Sequence, residues 1–416
     1  MMNPFPVMIA DMRRSLSGCV AVVCVIALAT ALGVAISAQE RALRRGSTQA
    51  AAAFDLLIGA RGSPTQLVLT AVYLQPAALD LVPGRVLQQL QADAGVAYVA
   101  PIAFGDYYQR FPIVGSSTDL LTQGGKLVPM AGRVFAAQNE AVLGADVTLK
   151  LGEVFSPVHG QPMALADAEM HVHGAFTYVV VGRMPRLGNP WDRAIIVPVE
   201  AVWQVHSLPA GHAEAANHQH ALDPTQTRLG PPWDGEDSAG VPAIVVKPKS
   251  VTDAYRLRNA YRAHAATMAL FPAEVLIELY AVLGDARALF AVLSLGTQAL
   301  VVAAVLLAVL ASLVSRRQQF AVLRALGASR SYIFATVWFQ VSVLLCLGAL
   351  CGLFLGWLGA HGLAWVFCRH TGIVLPVAIT WQEMRLLLAL VGVGLLLAVF
   401  PAWSSYRQPV TVALKS

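Results

Sequence analysis

Seven of the ten histidines fall between residues 159 and 220. His212, His218 and His220 lie with Glu214 and Asp223 in a stretch rich in Gly, Pro and Asp, and His171 and His173 alternate so as to share one face of an expected strand. Imidazole and carboxylate together suit divalent zinc, nickel or copper, so a zinc ion at this His-rich loop is the candidate cofactor. A solvated, sequence-tolerant loop would have the same composition, and the spacing leaves both readings open. The five cysteines (Cys19, Cys24, Cys346, Cys351, Cys368) sit in or beside apolar stretches, which leaves no Cys-based zinc site and no disulfide framework in between.

Other chemistry is absent. No Gly-x-x-x-x-Gly-Lys-Ser/Thr loop occurs; Gly124-Gly125-Lys126 is followed by Leu127 and cannot build a phosphate cradle. No Gly-x-Ser-x-Gly nucleophile motif occurs either. The sequence therefore reads as a non-catalytic subunit, and any ATP-driven work must draw on a separate chain.

The elements that hold these residues belong to a membrane protein. Of 416 residues, 56% are hydrophobic and 13% charged, with a mean hydropathy of +0.60; a soluble domain carries about 25% charged residues. The net charge of +5 does not imply nucleic acid. Arg13, Arg14, Arg316, Arg317, Arg324, Arg330, Arg407 and Lys415, against the single acid Asp11, occupy the short segments 1–15, 315–330 and 404–416, leaving the remainder slightly acidic. Basic residues beside apolar spans set topology.

Residues 16–38 are uncharged and long enough for a hydrocarbon core of about 30 Å. A signal peptide's apolar region runs about 7–15 residues, so this one reads as an uncleaved anchor with its N-terminus (1–15) in the cytoplasm. Further spans are expected at 288–314, 331–360 and 386–403. They are joined by a cytoplasmic segment (315–330) and an outer loop (361–385), and 404–416 forms a cytoplasmic C-terminus. The fold class is thus four transmembrane α-helices with one large α+β extracytoplasmic domain, 39–285, between the first two. Tyr178–Val181, Ala194–Val197 and Ala243–Val246 read as its strands, Val251–Ala266 as a helix, and 207–241 as a long exposed loop. Gly348, Gly352, Gly356 and Ala360 recur every four residues on the third span, and Ala27, Ala31 and Ala35 form a weaker stripe on the first. Such stripes let helices approach closely in lipid, although Gly and Ala are also simply common there.

The segment Ser315–Arg330 has near-helical apolar spacing at Phe320, Leu323 and Leu326, a glycine suited to a helix C-cap at Gly327, and a helix-starting Ser329. It reads as a short amphipathic cytoplasmic helix, or as a topological anchor on the headgroups. Here the chain resembles the FtsX/MacB/LolC-type ABC permeases, whose segment after the second span reads approximately Arg-Arg-x-Glu-Ile-Ala-x-Leu-Arg-Ala-Leu-Gly-Ala. The match is at Arg316, Arg317, Ala321, Leu323, Arg324, Ala325, Leu326, Gly327 and Ala328; Gln319 stands in place of the usual Glu and Phe320 in place of Ile. The ending from Pro401 to Leu414 is similar to the family's terminus, as is the order of one span, outer domain and three spans.

The resemblance implies a permease of the bacterial inner membrane with a MacB-like periplasmic domain. Residues 315–330 would be its coupling helix, docked on a cytoplasmic ABC ATPase that holds ATP and magnesium. A second permease copy, the same or different, and a periplasmic or outer-membrane partner are implied as well, and nucleic acid is not. The implied mechanism is mechanotransmission for export or extraction of a cargo; the alternative is an FtsX-like regulator of a periplasmic cell-wall enzyme. Phe54–Leu69 resembles a subset of these permeases linked to zinc-responsive operons, which implies a role in metal homeostasis. Gly59–Pro64 read by itself is a tight turn leading into a helix.

Overall fold

The computed structural model describes residues 5–75, 77–159, 171–172, 176–209, 228–234, 238–281 and 327–399, with Val292, Gly296, Ala303 and Trp403. The chain divides into two compact units. Met1–Arg45, Leu283–Val366 and Leu375–Ser416 form one; Gly46–Val282 and Phe367–Val374 form the other. Helix α1 (Phe5–Arg14) leads into α2 (Leu16–Ala51). The first expected span lies inside α2, but the helix continues beyond it through Glu40, Arg41, Arg44 and Arg45. Charge marks where a segment stops suiting lipid. It does not stop a helix built of Ala, Arg, Glu and Gln with no proline.

The second unit is built on a mixed sheet. Its strands are β1 (Leu56–Ala60), β2 (Val96–Tyr108), β3 (Phe111–Ser116), β4 (Ala131–Gly132), β5 (Glu140–Leu143), β6 (Val154–Phe155), β7 (Val158–His159), β8 (His171–Val172), β9 (Tyr178–Arg183), β10 (Ile195–Pro198), β11 (Ala243–Pro248) and β12 (Thr267–Leu270). The main path runs β12-β1-β11-β2-β3-β10-β5-β9-β4. The three apolar runs read from sequence are β9, β10 and β11. All four residues of β10 are buried, as a continuous apolar run requires when both sheet faces are covered; β9 alternates buried and half-buried positions. Helices α3 (Pro64–Ala71), α4 (Gly84–Ala92), α5 (Thr118–Thr122), α6 (Val199–Val205) and α7 (Val251–Ala263) complete the unit, and residues 272–281 are also helical. Leu56, Ile58, Leu87, Leu90, Phe111 and Ile113 lie at the centre of the core. Gly59–Pro64 is a turn in which Ser63 caps α3, accepting from the Gln66 backbone N–H at 3.3 Å.

The 207–241 stretch departs from the expected exposed loop. Residues 210–227 and 235–237 lie outside the described part, but Trp233 is 1% exposed and Ala239 and Val241 are buried. Gln91 donates to the Trp233 carbonyl at 2.7 Å and accepts from its N–H at 3.1 Å, while the Trp233 indole donates to Glu200 at 2.7 Å. A segment without periodicity can still be anchored by one large aromatic side chain.

Helix α8 (Arg330–Thr371) and α9 (Trp381–Leu397) close the described chain. Residues 361–371, read from sequence as part of the connecting loop, are instead the continuation of α8, with Arg369 and His370 in its last turn. Among the described residues, α2 and α8 are long and apolar enough to cross a membrane. At 1.5 Å per residue α9 is about 26 Å long, a little under a hydrocarbon core. The expected span 288–314 and residues 315–326 lie outside the described part, apart from Val292, Gly296 and Ala303, which are helical.

Candidate functional site

The glycines of α8 meet α2 directly. A Cβ on Gly348 would lie 2.7 Å from Ile26 Cβ, one on Gly352 would lie 2.6 Å from the Ala27 carbonyl oxygen, and one on Gly356 would lie 2.7 Å from the Ala31 carbonyl oxygen. Ala360, last of the stripe, is fully buried. The α8 backbone lies against carbonyl and Cβ atoms of α2, an approach that a side chain at any of these three glycines would block. Gly352→Leu is therefore expected to force the helices apart and destabilise the protein by about 1–3 kcal/mol. A Cβ on Gly362 meets nothing within 4 Å, so Gly362→Ala should match the parent. Denaturation of the detergent-solubilised full chain compares the two. On the other side of α8, the Trp338 indole donates to the Leu395 carbonyl of α9 at 3.3 Å.

A polar clamp joins the same elements. Glu383, with no side-chain exposure, pairs with Arg41. It accepts from the Ser37 hydroxyl at 2.9 Å, and the Arg41 guanidinium donates to that hydroxyl at 3.0 Å. The other carboxylate oxygen accepts from the Thr380 backbone N–H at 2.9 Å and the Thr380 hydroxyl at 2.6 Å. Every contact that makes this buried charge tolerable is thus fixed by the start of α9 or by one turn of α2. Sequence reasoning placed Glu383 in a connecting loop and gave it no role. The available signal was Thr380-x-x-Glu383 ahead of an apolar run, the reach-back half of a capping box.

Of the sequence-derived coupling residues, Gly327 and Ala328 are described; Arg316, Arg317, Gln319, Ala321, Leu323, Arg324, Ala325 and Leu326 lie outside the described residues. Gly327 is exposed with φ +99°, a conformation that favours glycine. Ser329 accepts from the Tyr332 N–H at 3.2 Å, capping α8. His171 is paired in register with His159 across β7 and β8. His173, His212, His218 and His220 lie outside the described residues.

Long apolar helices joined by close glycine packing, in a chain that also carries a separate mixed α/β domain, suit a membrane-embedded class of protein. Residues 291–413 match the family described as FtsX-like permease C-terminal, which supports the resemblance of this part of the chain to the FtsX/MacB/LolC-type permeases. Members are generally non-catalytic transmembrane subunits that typically work with an ATPase partner in ABC systems. No curated protein matches the chain.

Proposed function

We propose that this chain is the permease subunit of an ABC transporter that couples ATP hydrolysis on a separate cytoplasmic ATPase to movement of its outer domain. The observation that carries this reading is the family match over 291–413, because that span contains the Arg316–Ala328 segment. An amphipathic helix tied to two spans transmits force when its apolar face is seated in a partner's groove. The transmitting elements carry little other chemistry: residues 16–38 and 331–368 contain no Asp, Glu, Lys or Arg. Transporters that pass ions through the bilayer mark the path with such groups, so their absence favours mechanical transmission over a hydrophilic conduit. The chain would cross the membrane four times with both termini in the cytoplasm and would pair with a second permease.

Leu326→Asp places a charge on the docking face, and Gly327→Pro demands φ near −65° where the backbone holds +99°. Both variants are expected to lower recovery of the ATPase that co-purifies with the parent by at least about tenfold, ~1.4 kcal/mol of coupling. Protease resistance of the outer domain should be unchanged. Parent-like recovery in both variants, or labelling of residues 316–328 by a membrane-impermeant reagent from outside the cell, would sink the assignment.

A further inference from the structure

Strand β2 carries one extra residue. Its pairing with β3 passes from Ala103–Gly115 to Asp106–Ile113, so Phe104 and Gly105 form a bulge. Bulges re-aim the side chains that follow them. Asp106, next in the chain, is 3% exposed and stands opposite His159 of β7. Asp106 Oδ1 lies 3.2 Å from His159 Nδ1 and 3.9 Å from His206 Nε2. One donor atom from each of the three residues lies within 4.8 Å of the other two. The two imidazoles meet at an angle with centroids 5.5 Å apart. Three elements well separated in sequence, β2, β7 and the end of α6, thus converge on one point.

The protonation of His206 follows from its other nitrogen. Nδ1 lies 2.9 Å from the Val202 carbonyl oxygen, and a carbonyl can only accept, so Nδ1 carries the proton. In the neutral ring the lone pair is then on Nε2, the atom that faces the carboxylate. Lone pair and carboxylate are two donors that one metal ion can bridge. A backbone carbonyl on the remote nitrogen is also the partner that orients metal-ligating histidines. Gly105 makes room for this ring: a Cβ there would sit 2.8 Å from His206 Nε2.

We propose that Asp106, His159 and His206 form a binding site for a divalent transition metal of the zinc class. Two imidazoles and one carboxylate select zinc, copper, nickel or cobalt over calcium and magnesium, which take oxygen donors. Bonds of about 2.0–2.2 Å require the donors to draw in by roughly 1 Å. The His159 side chain, 52% exposed, has the freedom to do so. Three protein donors leave a fourth position open to solvent or another ligand. The bound ion would tie β7 and the end of α6 to the bulge of β2. The site stands on this geometry alone and does not depend on the permease reading.

The test uses the full chain in detergent, stripped with a chelator and titrated with zinc against a chromophoric competitor. It is made in a background with His171, His173, His212, His218 and His220 all changed to Ala. One equivalent of zinc is expected to remain bound. His206→Ala or His159→Ala should then weaken binding by at least about 100-fold, since loss of an outer partner alone costs about 10–100-fold. Gly105→Ala keeps every donor but displaces the His206 ring, and should cost about 10–100-fold. Asp106→Asn, which preserves shape, guards against misfolding and should also weaken zinc. Loss of all binding in the five-histidine background, or parent-like affinity in His206→Ala or Asp106→Asn, would overturn the proposal.

Discussion

Glu383→Ala is expected to destabilise the full chain by about 3–5 kcal/mol, the usual cost of breaking one side of a buried ion pair. Removing the carboxylate leaves Arg41 at 14% side-chain exposure without its anion, and strips the Ser37 and Thr380 hydroxyls of an acceptor. The same change removes the reach-back contact to the Thr380 N–H that starts α9. Glu383→Gln should cost less, because its carbonyl oxygen still serves one set of donors. The double variant Arg41→Leu, Glu383→Leu should recover much of the loss, since replacing both partners leaves no uncompensated charge. Denaturation of the purified protein in detergent, run as a double-mutant cycle, reads all four states. A loss under about 1 kcal/mol for Glu383→Ala would mean that the pair behaves as a solvated surface contact.

A second large effect is expected at Trp233. Trp233→Ala should cost about 3–5 kcal/mol, the range for truncating a buried large aromatic residue. It also deprives Glu200, 1% exposed, of the indole donor that helps to hold its carboxylate. The Gln91 pair survives, because it contacts only the Trp233 backbone, so the segment should loosen without wholly detaching. Limited proteolysis should show faster cutting between 228 and 241 than in the parent. Trp233→Phe, which keeps the ring volume in part and loses the N–H, should fall between the two. Equal cutting in all three proteins would show that the indole anchors nothing.

The contrast between these residues shows what could be read from the sequence. The strands at Tyr178, Ile195 and Ala243 declare themselves because they are β-branched runs with turn residues on either side, and burial on a sheet demands such runs. The glycine repeat of α8 was legible for a similar reason: close helix packing requires small residues at one period. Its partner surface, Val23 to Val34 of α2, was only partly marked by the alanine stripe, because a carbonyl can form the contact whatever its side chain. Trp233 was hidden, since one aromatic in an aperiodic stretch has no pattern to betray it. The Asp106 cluster was hidden for a different reason. His159 and His206 were counted with the other histidines by sequence proximity, while their partner Asp106 lies 53 residues before His159 and is turned toward them by a bulge whose one mark in the residue types is Gly105. Helix ends were misjudged where hydropathy was taken as the guide: α2 and α8 both outlast their uncharged stretches.

The position of β1 in the sheet bears on how the protein is made. Leu57 pairs with Val245 on one side and Leu270 on the other, so both neighbours are synthesised last although the strand itself is synthesised first. At about 5–20 residues per second, a ribosome needs on the order of ten to forty seconds to supply them. During that interval Leu56–Ile58 is an apolar strand with no edge to join, the kind of segment that aggregates unless a chaperone shields it. The mixed α/β domain is therefore committed to folding late, after nearly all of its chain has emerged.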